Sequence, residues 1–387
     1  LKDLLIKKIE ELRGTVFELN EFLYRNPEPG NQEFAACEKI CSILIQHGFD
    51  IQKNYLGIPT AFRATYGNGK PSIAYLCEYD ALPEIGHGCG HNMISAMSIA
   101  AAIALREAVN SIGGQIVVLG CPAEETNGAK VAMAERGTFN DIDVALMVHP
   151  SDVTRESGTS LAMEALQFEY IGKSAHAAAN PEDGINALDG VILLFNSINA
   201  LRQHVKSDVR IHGIIKEGGV AANIIPDRAV AQFYVRSESS AYLKEVVKKV
   251  KDCAHGAALA TGCTLNISNY ELSYDNMIPN STLQQAFSKN LKDLGVEHIE
   301  PPKKTSGSSD IGNVSHVVPA IQPYIGITQK HIPSHTREFA DATQTEYARE
   351  MLIKAATALA LTGYDIITDE TLLYRIKKEF LDSQKAE

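Results

Sequence analysis

Residues 73–92 read IAYLCEYDALPEIGHGCGHN, residues 115–125 read QIVVLGCPAEE and residues 144–150 read VALMVHP. Each opens as a short apolar run of strand length and closes on polar residues of a different kind. The first leads to Asp80 and then to Cys89 and His91, the second to Glu124 and Glu125, the third to His149. Residues 93–109, apolar and closed by Gly113-Gly114, predict a helix between the first two runs. A shorter helix over 128–136 separates the second from the third. Buried strands alternating with helices predict an α/β fold: a mixed, mostly parallel sheet with helices on both faces.

Working outward, residues 1–24 predict one amphipathic helix, stopped by Asn26-Pro27-Glu28-Pro29-Gly30, and 33–47 a second. A strand is expected over 62–66. Near residue 161 the rhythm changes. A strand over 162–171, a helix over 184–202, strands over 209–216 and 228–236, a helix over 240–261 and a strand over 264–268 follow. That β-α-β-β-α-β order is the split, ferredoxin-like arrangement. It predicts an inserted α+β domain over 162–272, with the larger domain formed by 1–161 and 273–387. The larger domain resumes with a helix over 281–294, a strand over 320–327 and two closing helices. Residues 377–387 are expected to be a solvated, charged helix end.

At 387 residues the chain is long enough for two domains with substantial cores. Its net charge of −11, without a basic stripe, argues against nucleic acid as the main partner. No stretch approaches about 18 uninterrupted apolar residues, so no membrane partner is expected, and the tract over 94–105 reads as a buried helix. Seven cysteines show neither a C-x-x-C pair nor a disulfide-framework spacing. With an opening that reads as an amphipathic helix rather than a signal h-region, they lead to the expectation of a cytoplasmic protein.

In open α/β sheets chemistry gathers where parallel strands end. Thiol, imidazole and carboxylate arriving from three consecutive strand ends suit a transition-metal site. Taken singly, Cys89 reads as a buried thiol, His91 as a helix-start residue and Glu124-Glu125 as a helix-start pair near a dipole. Jointly those readings would require three strand ends to collect metal-type residues at one edge by accident. Neighbouring glutamates on a loop point differently, so one can bind metal while the other serves as general base. Asp80 is placed to accept a hydrogen bond from a ligand imidazole and fix its tautomer.

Further motifs run in order through nearly the whole chain: Asn26-Pro27-Glu28 with Glu33, Asp80-Ala81-Leu82-Pro83, His87-Gly88-Cys89-Gly90-His91, Pro122-Ala123-Glu124-Glu125 and His149-Pro150. Then come Gly172-Lys173-Ser174-Ala175-His176-Ala177, Gly218-Gly219 with Asn223-Ile224-Ile225-Pro226-Asp227, Gly307-Ser308-Ser309-Asp310 and His335-Thr336. With these the chain resembles the metal-dependent amidohydrolase branch of the aminoacylase and carboxypeptidase G-type peptidases, which includes p-aminobenzoyl-glutamate, hippurate and indole-acetyl-amino-acid hydrolases. The resemblance implies a zinc-exopeptidase-like catalytic domain and a site for two divalent metal ions, Zn2+ or Mn2+. Carried over by matching motif, Cys89, His91, Glu125, His149 and His335 would be ligands, Glu124 the general base and Asp80 the support of a ligand histidine. His176 and Asn223 belong to the inserted domain, which in relatives forms a dimer and sends its histidine toward a neighbouring site to stabilise the oxyanion; a homodimer or higher homo-oligomer through this domain is expected. Arg236 matches a position associated with the substrate carboxylate.

The chain departs from many relatives in having Asn92 where they have Asp. His331 rivals His335 as the last ligand; His335 is preferred because His335-Thr336 precedes Phe339 in the family pattern. His87 and Asp310 are expected to serve loop geometry. The function so implied is hydrolysis of the amide bond of a small N-acyl amino acid or short peptide. Two rival readings stand beside it. One is a metal-independent cysteine hydrolase using Cys89, disfavoured because His91 is poorly placed as its base. The other is a non-catalytic small-molecule binding or regulatory protein on the same fold.

Overall fold

The computed structural model describes residues 1–304 and 307–386. In chain order the elements are α1 (Lys2–Glu11), α2 (Arg13–Arg25), α3 (Phe34–Gln46), β1 (Asp50–Lys53), β2 (Phe62–Gly67), β3 (Ser72–Cys77), α4 (His91–Ile112), β4 (Gln115–Gly120), α5 (Ala129–Glu135), β5 (Val144–Leu146) and β6 (His149–Ser151). Then come β7 (Ala162–Ile171), α6 (Ala187–Leu201), β8 (Arg210–Glu217), β9 (Arg228–Ser237), α7 (Ser240–Thr261) and β10 (Thr264–Asn269). The chain closes with α8 (Ser281–Asp293), α9 (Ile311–Ser315), β11 (Ala320–Ile321), β12 (Tyr324–Gly326), α10 (Arg337–Ala342), α11 (Glu346–Thr368) and α12 (Glu370–Ala386).

The chain divides into two compact units. The larger comprises residues 1–159, 277–304 and 309–386; the smaller comprises 160–276 with 307 and 308. The larger unit holds a six-stranded sheet in the order β1-β2-β4-β3-β5-β11. Strands β4, β3, β5 and β11 run parallel to their neighbours, while β2 is antiparallel to β4 and β1 to β2. The three strand ends singled out in the sequence therefore lie side by side, with β3 in the middle. The smaller unit is an antiparallel sheet in the order β10-β7-β9-β8, the strand arrangement of a ferredoxin-like fold, with α6 and α7 packed on it.

Helix α4 is the spine of the larger unit. It is apolar over most of its circumference and packs against α11, α2, α1 and the strands β3 and β4. Both α4 and α11 have the length and composition to cross a bilayer, yet most of each is buried inside this unit. The polar residues in α4 are spent on the sheet. Ser98 Oγ donates to the Leu76 carbonyl at 2.6 Å, and Ser95 Oγ donates to the Glu78 carbonyl. These bonds fasten the start of α4 to the C-terminal end of β3, which fixes where His91 stands relative to Asp80.

Several expectations give way to tertiary packing. The helix expected over 1–24 is two helices, interrupted at Leu12 (φ −84°, ψ −6°) with the weak helix former Gly14 just beyond. The interruption lets Leu5 and Ile9 of α1 and Val16, Leu19 and Leu23 of α2 all reach the core. The strands expected over 144–148 and 320–327 each break in two. Beyond Leu146 the chain leaves the main sheet, and β6 pairs in parallel with β12 instead. Pro323 lies at the second break, and its carbonyl accepts from His149 N at 2.9 Å. The short edge strand β1 carries too few apolar residues to be legible in sequence. The tail is not merely solvated: Ile376 is buried, Lys377 pairs with Asp143, and the Glu379 carboxylate accepts from Ser281 N (2.6 Å) and Thr282 N (2.9 Å) at the start of α8.

Gly120, the last residue of β4, marks a close approach. A Cβ there would lie 2.2 Å from the Phe62 ring and 2.7 Å from the Tyr79 hydroxyl. Gly120→Ala is expected to lower stability by about 1–3 kcal/mol, the usual range for overpacking a core. This would be read as a lower urea midpoint with unchanged m-value. A wild-type midpoint would show that the two rings yield freely.

Candidate active site

The site is built on the loops following β3, β4 and β5, in the larger unit. Asp80 follows β3 and is fully buried. Its Oδ1 lies 2.9 Å from His91 Nδ1, and its Oδ2 accepts from Glu125 N at 3.0 Å. One carboxylate thus sets both the ring orientation of His91 and the path of the loop after β4. With Nδ1–H spent on Asp80, the Nε2 lone pair of His91 points elsewhere. That atom is buried and has no hydrogen-bond partner. Gly90 (φ +80°) lies between Cys89 and His91, and a Cβ there would stand 2.3 Å from Pro150 Cγ. Glycine at this position is therefore required both by conformation and by space.

The loop after β4 is held from the other side. Glu33 is buried, with Oε1 accepting from Ala123 N at 2.8 Å and Oε2 from the Thr60 hydroxyl at 2.9 Å. Ala123 itself has φ +62°, a conformation alanine rarely adopts. It turns the chain into Glu124 and Glu125, whose carboxylates both approach His91 Nε2, at 3.9 and 4.0 Å. Glu28, two residues after Asn26, accepts from Ala35 N and Ala36 N at the start of α3. The Asn-Pro-Glu motif with Glu33 therefore braces the site without entering it.

Among the described residues three donor groups gather here: Cys89, His91 and His149; Cys89, Glu125 and His335; and His91, Glu124 and Glu125. In each the ligand-type atoms lie within 4.8 Å of one another. Cys89 Sγ belongs to the first two. Its distance to His149 Nε2 is 3.5 Å, and His149 Nδ1 donates to the Pro150 carbonyl at 2.7 Å, leaving Nε2 as the free donor atom. His335 Nε2 lies 3.3 Å from Glu125 Oε1. Like Ala123, His335 sits at positive φ (+64°), and its amide donates to the Gly88 carbonyl at 2.8 Å. Glu124 Oε2 lies 3.9 Å from His91 Nε2. His331 is exposed and pairs with Asp152 at 2.5 Å, and it enters none of these donor groups.

The electrostatics follow from this crowding. Burial by itself raises the Cys89 thiol, but the imidazoles of His149 and His91 outweigh it and bring it down to about 6. Hydrogen bonding toward Cys89 and Glu125 lifts His335 to about 10. Burial opposes a charge on His91, yet Asp80 and Cys89 raise it well above its ordinary value. Burial, then the neighbouring Glu78 and Asp310, push Glu124 well above the usual carboxylate range.

The remaining candidates, His176, Asn223 and Arg236, lie in the smaller unit. His176 is exposed, and its Nδ1 accepts from Ala178 N (3.2 Å) and Ala179 N (3.1 Å). The strand-like segment at His176 bridges Ile224, and Ala177 N donates to the Asn223 carbonyl, so His176 and Asn223 share one corner of that unit. Arg236 donates to the Ser308 hydroxyl at 3.0 Å and lies over the Tyr234 ring.

Sequence reasoning missed three residues beside the donor groups. Lys130 is fully buried, with Nζ 2.6 Å from both Glu78 Oε1 and Asp310 Oδ1. Glu78 Oε2 lies 3.4 Å from His91 Nε2. Ser309 Oγ donates to Glu124 Oε1 at 2.7 Å. Asp310, expected to serve loop geometry, is one arm of this buried ion-pair cluster. A charged residue in the apolar run of α5, and a second acid two residues before Asp80, were the available signals.

The family model described as Peptidase family M20/M25/M40 matches residues 77–358. A mouse protein named Xaa-Arg dipeptidase is 39% identical, over 98% of this chain and 92% of the relative. A component of the p-aminobenzoyl-glutamate hydrolase of Escherichia coli K12 is 28% identical, over 96% of this chain and 93% of the relative. Among solved structures, an aminobenzoyl-glutamate utilization protein from Klebsiella pneumoniae superposes with TM-score 0.72 at 19% identity, covering 92% of this chain and 98% of that one. A Bacillus subtilis protein described as a dinuclear metal binding peptidase of the M20 family gives 0.63 at 19% identity, covering 89% and 98%. These structural likenesses speak for the fold.

The lowered Cys89 thiol has a direct readout. In chelator-treated protein, alkylation of Cys89 by iodoacetamide, mapped by peptide mass spectrometry, is expected to rise through a midpoint near pH 6. It should be close to its plateau at pH 7.5, where an ordinary thiol of about 8.5 is still mostly protonated. A midpoint near 8.5 would contradict the electrostatic account of the cluster.

Proposed function

This chain belongs to peptidase family M20/M25/M40, and on that premise we propose that it cleaves dipeptides and N-acyl amino acids with two divalent metal ions, zinc or manganese, held by Cys89, His91, His149, Glu125 and His335. It is a hydrolase of peptide or amide bonds. The observation that carries the finer reading is the pair of donor groups sharing Cys89, with the carboxylate of Glu124 beside them. The residues fit a metal pair. Zinc bonds of about 2.3 Å to sulfur and 2.0–2.1 Å to nitrogen, at a tetrahedral angle, place the two donors about 3.5 Å apart. Cys89 Sγ and His149 Nε2 have that spacing. The atoms His91 Nε2 and Glu125 Oε1, 4.0 Å apart, face the same space.

When bound, the metal pair supplies Lewis acidity and lowers the pKa of water in the site. The chain's own residues do the rest. Asp80 holds His91 in the tautomer whose Nε2 is free to ligate. Glu124 takes a proton from the attacking water on Oε2 and returns it to the amine nitrogen as the C–N bond breaks. Burial, and then the neighbouring Glu78 and Asp310, raise its proton affinity, and His91 and Lys130 offset part of that rise. His176, with Nδ1 accepting two backbone N–H groups, carries its proton on Nε2 and is a donor for the oxyanion that forms on the substrate carbonyl. Asn223 and Arg236 are assigned to the substrate, Arg236 to its carboxylate.

We assign a homodimer through the smaller unit, with His176 serving the site of a partner copy. The support is the edge strand β8, which exposes Ile214 and Ile215, and the exposed Ile192 and Leu193 of α6. The first substrates to test are dipeptides ending in arginine, after the mouse relative's name, followed by p-aminobenzoyl-glutamate. The 3.5 Å Cys89–His149 contact also supports a metal-independent cysteine hydrolase with His149 as base.

Protein purified without chelator is expected to hold about two metal ions per chain. Glu124→Gln should keep the metal while losing at least about 100–10,000-fold in kcat, the range for a removed general base. Full activity after exhaustive chelation, with the metal confirmed absent by elemental analysis, would favour the cysteine reading instead. For His176→Ala, steady-state assays at saturating substrate are expected to show kcat lower by about 100–1,000-fold. An unchanged kcat would remove His176 from the mechanism.

A further inference from the structure

Glu124 sits where a carboxylate has reason to turn away. Glu78 Oε2 and Glu124 Oε2 approach the same buried imidazole nitrogen, His91 Nε2, at 3.4 and 3.9 Å, and like charges sharing so dry a space repel one another. A general base must nevertheless present one oxygen to the reacting water within a few tenths of an ångström. Something has to hold the carboxylate against this repulsion.

The hydroxyl of Ser309 does so. Its Oγ donates to Glu124 Oε1 at 2.7 Å, while the other oxygen, Oε2, stands 3.9 Å from His91 Nε2 on the side of the donor groups. The two oxygens are thereby made unequal: one is occupied, the other faces the chemistry. Ser309 is itself anchored. Its carbonyl accepts from Gly312 N at 3.1 Å as the chain turns into α9. The next residue, Asp310, is fully buried and bound twice by Lys130, through Nζ at 2.6 Å and through the backbone amide at 3.2 Å. Lys130 in turn grips Glu78 at 2.6 Å. The segment carrying Ser309 is tied by an enclosed ion pair to the helix that follows the Glu124 loop, so the hydroxyl and the carboxylate are fixed relative to one another.

We propose that Ser309 is a positioning residue for the reaction, holding Oε1 of Glu124 so that Oε2 alone is presented as the base. The inference rests on the reading of Glu124 as general base. Neither substrate binding nor metal binding passes through this bond. Its loss therefore falls on kcat alone.

The test compares Ser309→Ala, Ser309→Thr and Glu124→Gln on one cleavable substrate, with metal content measured on each protein. Ser309→Ala is expected to lower kcat by about 10–100-fold, the worth of a hydrogen bond to a charged group. Its KM, metal content and thermal midpoint should stay at wild-type values. Ser309→Thr, which keeps the hydroxyl, should recover most of the rate. If Ser309→Ala turns over like wild type while Glu124→Gln is inactive, the positioning role is overturned and the base assignment stands. If Ser309→Ala instead loses metal or raises KM with kcat unchanged, Ser309 is structural and the proposal is likewise overturned. If Glu124→Gln retains full activity, the base reading itself fails.

Discussion

The bond between Asp80 and His91 organises the larger unit's chemistry because Asp80 is bound at both ends. One oxygen faces the imidazole at the start of α4; the other accepts the amide of Glu125 beyond β4. A single buried carboxylate thus ties together the ends of two neighbouring parallel strands and the first turn of the central helix. Its charge is stabilised by that same imidazole and amide against the cost of burial. Without it, His91 would lose its tautomer and ring orientation, and the loop bearing Glu124 and Glu125 would lose one of its tethers. Another is Glu33, reaching the same loop from the helical side.

Around this core the charge balance is lopsided. Glu78, Asp80, Glu124, Glu125 and Asp310 crowd a small volume that contains one lysine, Lys130, and the imidazoles of the donor groups. Lys130 neutralises the inner side, between Glu78 and Asp310. The outer side, where Cys89, Glu125 and His335 meet, has only histidines to offset a thiolate and carboxylates, and those histidines are driven to bind protons. A site that recruits protons in this way is well suited to exchange them for divalent cations, because deprotonated donors and metal binding are linked. Backbone strain occurs at the same place: Ala123 and His335, two of the six described non-glycine residues at positive φ, lie here. Such conformations persist where the surroundings over-determine them, and here the Glu33, Asp80 and Gly88 hydrogen bonds do so.

Much of this was legible in the linear chain. The strand runs ending at Asp80, Glu124-Glu125 and His149 were readable because buried parallel strands are continuous apolar runs, and polar residues at their ends stand out. The β-α-β-β-α-β order of the smaller unit was readable for a different reason: along an antiparallel strand such as β9 buried and less buried residues alternate. The roles of Lys130, Glu78 and Ser309 were not readable, although Ser309 stands in the Gly307-Ser308-Ser309-Asp310 motif. Lys130 is a charge in the apolar run of a short helix, which names no partner; Asp310 is 180 residues away. Ser309 reaches Glu124 across 185 residues. No local pattern encodes such pairs, because the energy that selects them arises only when distant segments share one dry space.

The sequence by itself determined the class of fold and the strand ends at which thiol, imidazole and carboxylate gather. These depend on local periodicity and on residue type, which survive in one dimension, whereas the expected ligand set was what the resemblance implied. Only the tertiary structure decided that Cys89 is common to two donor groups, that His335 rather than His331 joins them, and that a buried lysine and a serine hydroxyl stand behind Glu124. Those outcomes depend on distances between segments far apart in the chain, and at 3–4 Å in a low-dielectric interior a shift of one side chain changes both hydrogen bonding and charge.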